Sequence, residues 1–230
     1  MAGDSTQLLA VWMLAGELLT ELLVNAAGKS EVMSDRLAGR EILLGVSGGI
    51  AAWKTATLCS RLVQHGAGVT VVLTRSAEKF IGRATFAGLT GRAVRVDTFE
   101  VHEFPQGEHI GMAQRADLAV VAPASAATLG RIANGIADDL LSTTLLVCRC
   151  PIVLAPAMNC EMWAAPAVQR NMSLLRNDGY RIVGPGVGWL SCGQVGAGRM
   201  AEPEELFEEI LQLLPQVTVA DKQGQAECES

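Results

Sequence analysis

From Glu41 onward, short apolar runs rich in β-branched residues alternate with helix-length amphipathic segments. The runs fall at Ile42–Val46, Val69–Leu73, Val94–Val96, Leu118–Ala122, Ile152–Ala155 and Arg181–Val183. Continuous apolar strands need cover on both faces, so the pattern predicts βαβ units: a three-layer α/β domain with a parallel sheet between helices. Between the first two runs, Ala52, Ala56, Cys59 and Val63 recur at helical spacing and predict a helix with one face on the sheet. Proline stops a ladder for want of an N–H, so strands are expected to end at Pro123 and Pro156. A helix is expected over Cys160 to Asn177. A last helix opens at Pro203 with the stripe Leu206, Phe207, Ile210, Leu213 and Leu214.

The ends of the chain read differently. Over Gln7 to Ala27, Leu8, Val11, Trp12, Ala15, Leu18, Leu19, Leu22 and Leu23 predict an amphipathic helix. Glu17 and Glu21 interrupt it and no basic stretch precedes it, which argues against a membrane span or a cleaved signal. After Pro215 the sequence turns polar and aperiodic, the pattern of a disordered tail. The expected organisation is therefore a helical extension over 1–36, one domain over 37–214 and a tail over 215–230.

Composition removes several function classes. A net charge of −6, no Lys/Arg block and few aromatic residues give nucleic-acid binding no support. The six cysteines form no paired C-x-x-C array, so they read as reduced thiols of a cytoplasmic protein. The three histidines, His65, His102 and His109, are not spaced to complete a zinc site with Cys148 and Cys150, and no metal is expected.

Candidate chemistry collects at strand ends. The first strand runs into Ser47-Gly48-Gly49-Ile50-Ala51-Ala52, a glycine turn opening a helix, where backbone N–H groups and the helix dipole receive a phosphate. As a dinucleotide fingerprint it is poor, because no acid follows the second strand to hold a ribose; a mononucleotide fits better. Thr74 and Ser76 add hydroxyls at the next strand end, serving a phosphate, a ribityl chain or ordinary capping. Pro123-Ala124-Ser125-Ala126-Ala127-Thr128 offers small residues beside two hydroxyls, Ser125 serving a planar ring or a helix cap. His109 in Gly107-Glu108-His109-Ile110 opens a short helix and is either structural or a base. Asn159 in Pro156-Ala157-Met158-Asn159-Cys160-Glu161-Met162-Trp163 either caps a helix or binds a ligand, and Met158 and Met162 stay unassigned. Residues 184–200 hold six glycines among Trp189, Leu190, Cys192 and Met200, too flexible for a strand or helix and apolar enough for a lid. Cys192 at its centre is a proton donor or a small filler.

Together, Ser47–Ala52, Gly107–Ile110, Pro123–Thr128, Pro156–Trp163, Cys192-Gly193 and Gly198-Arg199-Met200 resemble the flavin-dependent cysteine decarboxylases over residues 40 to 212. The resemblance implies a flavodoxin-like subunit in a homotrimer or an array of trimers up to a dodecamer, with FMN at subunit boundaries. It implies FMN contacts from Ser47, Gly48, Gly49, Thr74, Ser76, Ser125 and Thr128, with Ala127 standing where the family often has an asparagine that hydrogen-bonds the flavin. The implied reaction is loss of CO₂ from 4′-phosphopantothenoylcysteine, giving 4′-phosphopantetheine for coenzyme A. The cysteinyl end is oxidised to a thioaldehyde by the flavin, and the carbanion left by CO₂ is delocalised to sulfur as an ene-thiolate. The implied roles are His109 as base, Asn159 on the substrate carboxylate, Cys192 as proton donor and Met200 beside the substrate. A ligase supplying the substrate is expected on another polypeptide. The rivals are a decarboxylase of peptides ending in cysteine, a non-catalytic FMN-binding regulator and a flavin prenyltransferase.

Overall fold

The computed structural model describes residues 36–100, 103–104 and 107–214; the helix expected at Gln7–Ala27 and the tail expected at 215–230 lie outside them. Five parallel strands form the central sheet: β1 (Glu41–Val46), β2 (Gly68–Leu73), β3 (Leu118–Ala124), β4 (Ile152–Pro156) and β5 (Arg181–Ile182), in the order β2-β1-β3-β4-β5. Their alternating side chains supply two cores. Ile42, Leu44, Val46, Val69, Val71, Val120 and Val153 face one side, against α1 (Ala52–Gln64), α2 (Arg83–Thr90) and α8 (Pro203–Leu213). Leu43, Val72, Val121 and Leu154 face the other, against α3 (Glu108–Arg115), α4 (Ala126–Ala133), α5 (Leu140–Val147) and α7 (Pro166–Asn177). The expected parallel sheet covered on both faces, a flavodoxin-like three-layer α/β arrangement, is what forms.

Several elements differ from the sequence expectation, each for a local reason. On α1 the deepest contacts come from Leu58, Cys59 and Leu62 with Ala52, whereas Ala56 and Val63 flank them. Each fully buried leucine contributes about 2 kcal/mol, so the larger side chains set the rotation of the helix. Strand β3 runs through Pro123 instead of stopping at Ala122: the β3–β4 register shifts between Val121 and Ala124, a bulge that spares the missing N–H. Two helices replace the one expected over Cys160–Asn177. α6 (Cys160–Ala164) ends at Ala165, whose ψ of 132° before Pro166 is the extended conformation a following proline imposes. Val94–Val96 joins the sheet only through a bridge from Arg95 to Val72. The glycine-rich stretch, expected to be too flexible for a strand, is a hairpin, β6 (Gly186–Trp189) against β7 (Val195–Arg199).

Candidate active site

In this strand order the chain passes from β1 to β2 on one side and then crosses to β3 on the other side of β1, and ligands collect in the crevice at the carboxyl ends of strands flanking such a switch. Ser47 and Pro123 close the base of that crevice. The Ser47 hydroxyl donates to the Pro123 carbonyl at 2.7 Å and accepts the Ser125 N–H at 2.8 Å. Expected as a cofactor contact, Ser47 is 1 % exposed and its hydroxyl is already engaged, so it staples the two strand-end loops. Gly48 packs on Ser76: a Cβ there would sit 2.6 Å from the Ser76 Cβ. At Gly49 a Cβ would meet only Pro123, at 3.9 Å, and the turn is open on that side.

Beside this turn lies a cavity of about 300 Å³ that Thr74, Ser76, Ser125, Ala127 and Thr128 help to line. The Thr74 hydroxyl accepts the Ala77 N–H at 3.2 Å and lies 3.3 Å from that of Ser76. Ser125 is the N-cap of α4, accepting the Thr128 N–H, with the two hydroxyls 3.1 Å apart. No side chain caps α1, and its first turn carries no acid. A helix start of that kind receives an anion. The cavity also takes Asp97, Phe99, Arg131, Asp138 and Asp139. The sequence reading missed them: Asp97, Phe99, Asp138 and Asp139 come from loops and a capping box with no pattern of their own, and Arg131 is one arginine on the polar side of α4.

Asn159 does two things at once. Its Oδ1 accepts the N–H groups of Glu161, at 2.8 Å, and Met162, capping α6. Its Nδ2 donates to the Cys192 sulfur at 3.2 Å and to Gln194 Oε1 at 3.0 Å. That oxygen also accepts the Cys160 thiol at 3.2 Å, and Gln194, which the sequence reading passed over, is the hub of the cluster. A backbone bond from the Met158 N–H to the Gly198 carbonyl, at 3.0 Å, holds the hairpin against this loop. Cys192 is exposed, and donation to its sulfur by the Gln194 N–H and then by Asn159 Nδ2 lowers its pKa from the ordinary thiol value.

His109 sits in the first turn of α3. Among the described residues no hydrogen bond joins it to Asn159 or Cys192, and its Nδ1 is buried without a partner. Glu108 beside it is 1 % exposed; it pairs with Arg95 at 2.9 Å and accepts the N–H groups of Glu103 and Phe104, which fixes the start of α3. Met200, expected at the substrate, is 2 % exposed and part of the core, where its apolar side chain is drawn. Among the described residues there is no group of three or more potential metal ligands, and no helix is long and apolar enough to cross a membrane.

Comparison with known proteins adds to this geometry. A family model described as flavoprotein matches residues 30–215. The chain is 49% identical over 172 residues to the coenzyme A biosynthesis bifunctional protein CoaBC of Bacillus subtilis, covering 75% of this chain and 42% of that protein. It thus spans less than half the length of the curated relatives it matches. Among solved structures, the FMN-dependent cysteine decarboxylase SpaF superposes with a TM-score of 0.67 at 34% identity, covering 77% of this chain and 98% of that one. A PPC decarboxylase mutant complexed with pantothenoylaminoethenethiol superposes with a TM-score of 0.66 at 32% identity, covering 74% and 96%.

Proposed function

The chain belongs to the flavoprotein family, and from that membership we propose that its 37–214 domain is an FMN-dependent carbon–carbon lyase that decarboxylates 4′-phosphopantothenoylcysteine to 4′-phosphopantetheine. The observation that carries this reading is the 3.2 Å contact between the Asn159 amide and the Cys192 sulfur, the two groups we assign to the substrate carboxylate and to proton donation. The relatives named for coenzyme A biosynthesis and the solved complex with pantothenoylaminoethenethiol support the choice of substrate.

The cavity and its neighbours fit the cofactor. Thr74, Ser76, Ser125 and Thr128 would hold the phosphate and ribityl hydroxyls, with the uncapped start of α1 toward the phosphate and the open side of Gly49 free for close approach. When bound, FMN supplies a two-electron oxidant that is regenerated within one turnover.

The protein groups divide the remaining work. Asn159 Nδ2 exchanges its hydrogen bonds to Gln194 and Cys192 for the substrate carboxylate. A neutral amide orients that group without stabilising a charge that the transition state is losing. His109 takes up the thiol proton when the cysteinyl sulfur is oxidised. After CO₂ leaves, the Cys192 thiol gives its proton to the ene-thiolate carbon, and the donors around its sulfur stabilise the thiolate left behind. The working enzyme is a homotrimer or an array of trimers, with FMN held at the subunit boundaries. It acts in the cytoplasm on substrate made by a phosphopantothenate–cysteine ligase. The test is CO₂ release by FMN-loaded protein from 4′-phosphopantothenoylcysteine set against a peptide ending in cysteine. Turnover of the first is expected; failure to bind FMN, or turnover of the peptide alone, overturns the reading.

A further inference from the structure

At the edge of the sheet opposite the candidate active site, where α5 ends and β4 begins, the chain reads Cys148-Arg149-Cys150. Extended backbone points successive side chains to opposite sides, so positions i and i+2 share one. Cys148 has φ −57° and ψ 133°. Accordingly both thiols are half-buried and line one cavity of about 460 Å³ with Leu145, Ile152 and Tyr180, while Arg149 stands in solvent. The two thiols lie two positions apart on that side of the chain and open into the same cavity. Cys148 is held in its protonated form, first by donating to Cys150 and then by burial. Cys150 is more acidic than an ordinary thiol: the Cys148 bond comes first, backbone N–H groups assist, and burial and Asp117 oppose. An acidified thiol thus shares a cavity with a protonated one, at a place the proposed decarboxylation does not use.

We propose that Cys148 and Cys150 form a reversible dithiol–disulfide site that reacts with small disulfides. Cys150, as thiolate, attacks one sulfur of the reagent, whose S–S bond breaks and whose other half leaves as a thiolate. Cys148 then loses its proton and attacks the Cys150 sulfur of the mixed disulfide, expelling the second half. The protein gives up two electrons and two protons, and the reagent is recovered as two thiols. Cys160 and Cys192 sit at the opposite end of the strands and cannot enter this bridge.

The experiment treats the FMN-loaded full chain with oxidised glutathione and maps its cysteines by mass spectrometry under non-reducing conditions. The expected product is a Cys148–Cys150 disulfide that dithiothreitol reverses. In Cys148→Ser the reaction stops at a glutathione adduct on Cys150. In Cys150→Ser, modification of Cys148 slows by about tenfold or more, because a protonated thiol is the poorer nucleophile. Both thiols free when Cys192 is already modified, or equal rates in the two variants, would overturn the proposal. Phenylarsine oxide tests the pair without a variant: one arsenic bridging Cys148 and Cys150 with loss of water is expected, and capture elsewhere or none contradicts it.

Discussion

A single asparagine shows how one side chain can cap a helix and still present its amide nitrogen to its neighbours. Helix capping and ligand binding compete for Asn159 on paper, yet the structure gives the cap to its oxygen and turns its nitrogen outward to Cys192 and Gln194. Residue type was enough to nominate Asn159 and Cys192, since an amide and a thiol carry recognisable chemistry. Gln194 was not legible, because a glutamine in a glycine-rich stretch has no signal until the hairpin folds it onto Asn159. At Ser47 and Met200 the structure adds burial, which a lone residue does not reveal: Ser47 bonds the Pro123 carbonyl and Met200 joins the core. The donors at the Cys192 sulfur carry a consequence for pH. A thiol whose pKa is lowered is protonated only up to a lower pH, so its role as proton donor is lost earlier as pH rises. The midpoint of Cys192 alkylation against pH should fall below the reference of about 8.5. Asn159→Ala, which removes one donor, should move that midpoint up. An unchanged midpoint would show that Asn159 does not act on the thiol.

Among elements, the strands and long helices were legible because their periodicity is repeated. The hairpin was not, since glycine suppresses the alternation that marks a strand. What fixes β6–β7 is contact rather than propensity. Gly198 has φ +141°, and a Cβ there would lie 2.2 Å from the Met158 carbonyl. Gly198→Ala should therefore lift the hairpin from the Asn159 loop. FMN binding should persist while kcat/KM falls by about 100-fold, the scale expected when reacting groups are misplaced by an ångström. Wild-type kinetics in that variant would place the hairpin outside the mechanism. The start of α3 depends on Glu108 in a comparable way. Glu108→Ala leaves Arg95, 5 % exposed, with its buried partner gone, at a cost of about 3 kcal/mol read from the urea midpoint.

At the scale of the whole molecule, the three layers follow from apolar strands that need cover on both faces, and the site follows from the strand order, which places a crevice between β1 and β3. That order is not written in any one segment. Binding of FMN to the native state alone should raise stability by about 2.7 kcal/mol at a hundredfold excess over Kd, measured as a shift in the unfolding midpoint between stripped and reloaded protein. The central claim is that this crevice and the Asn159–Cys192 pair act in one reaction, with Cys192 needed only after CO₂ has gone. It is tested most directly by the mass of what Cys192→Ser releases from 4′-phosphopantothenoylcysteine. The account predicts CO₂ and a decarboxylated product still lacking two hydrogens, the ene-thiol; normal 4′-phosphopantetheine from that variant would contradict it.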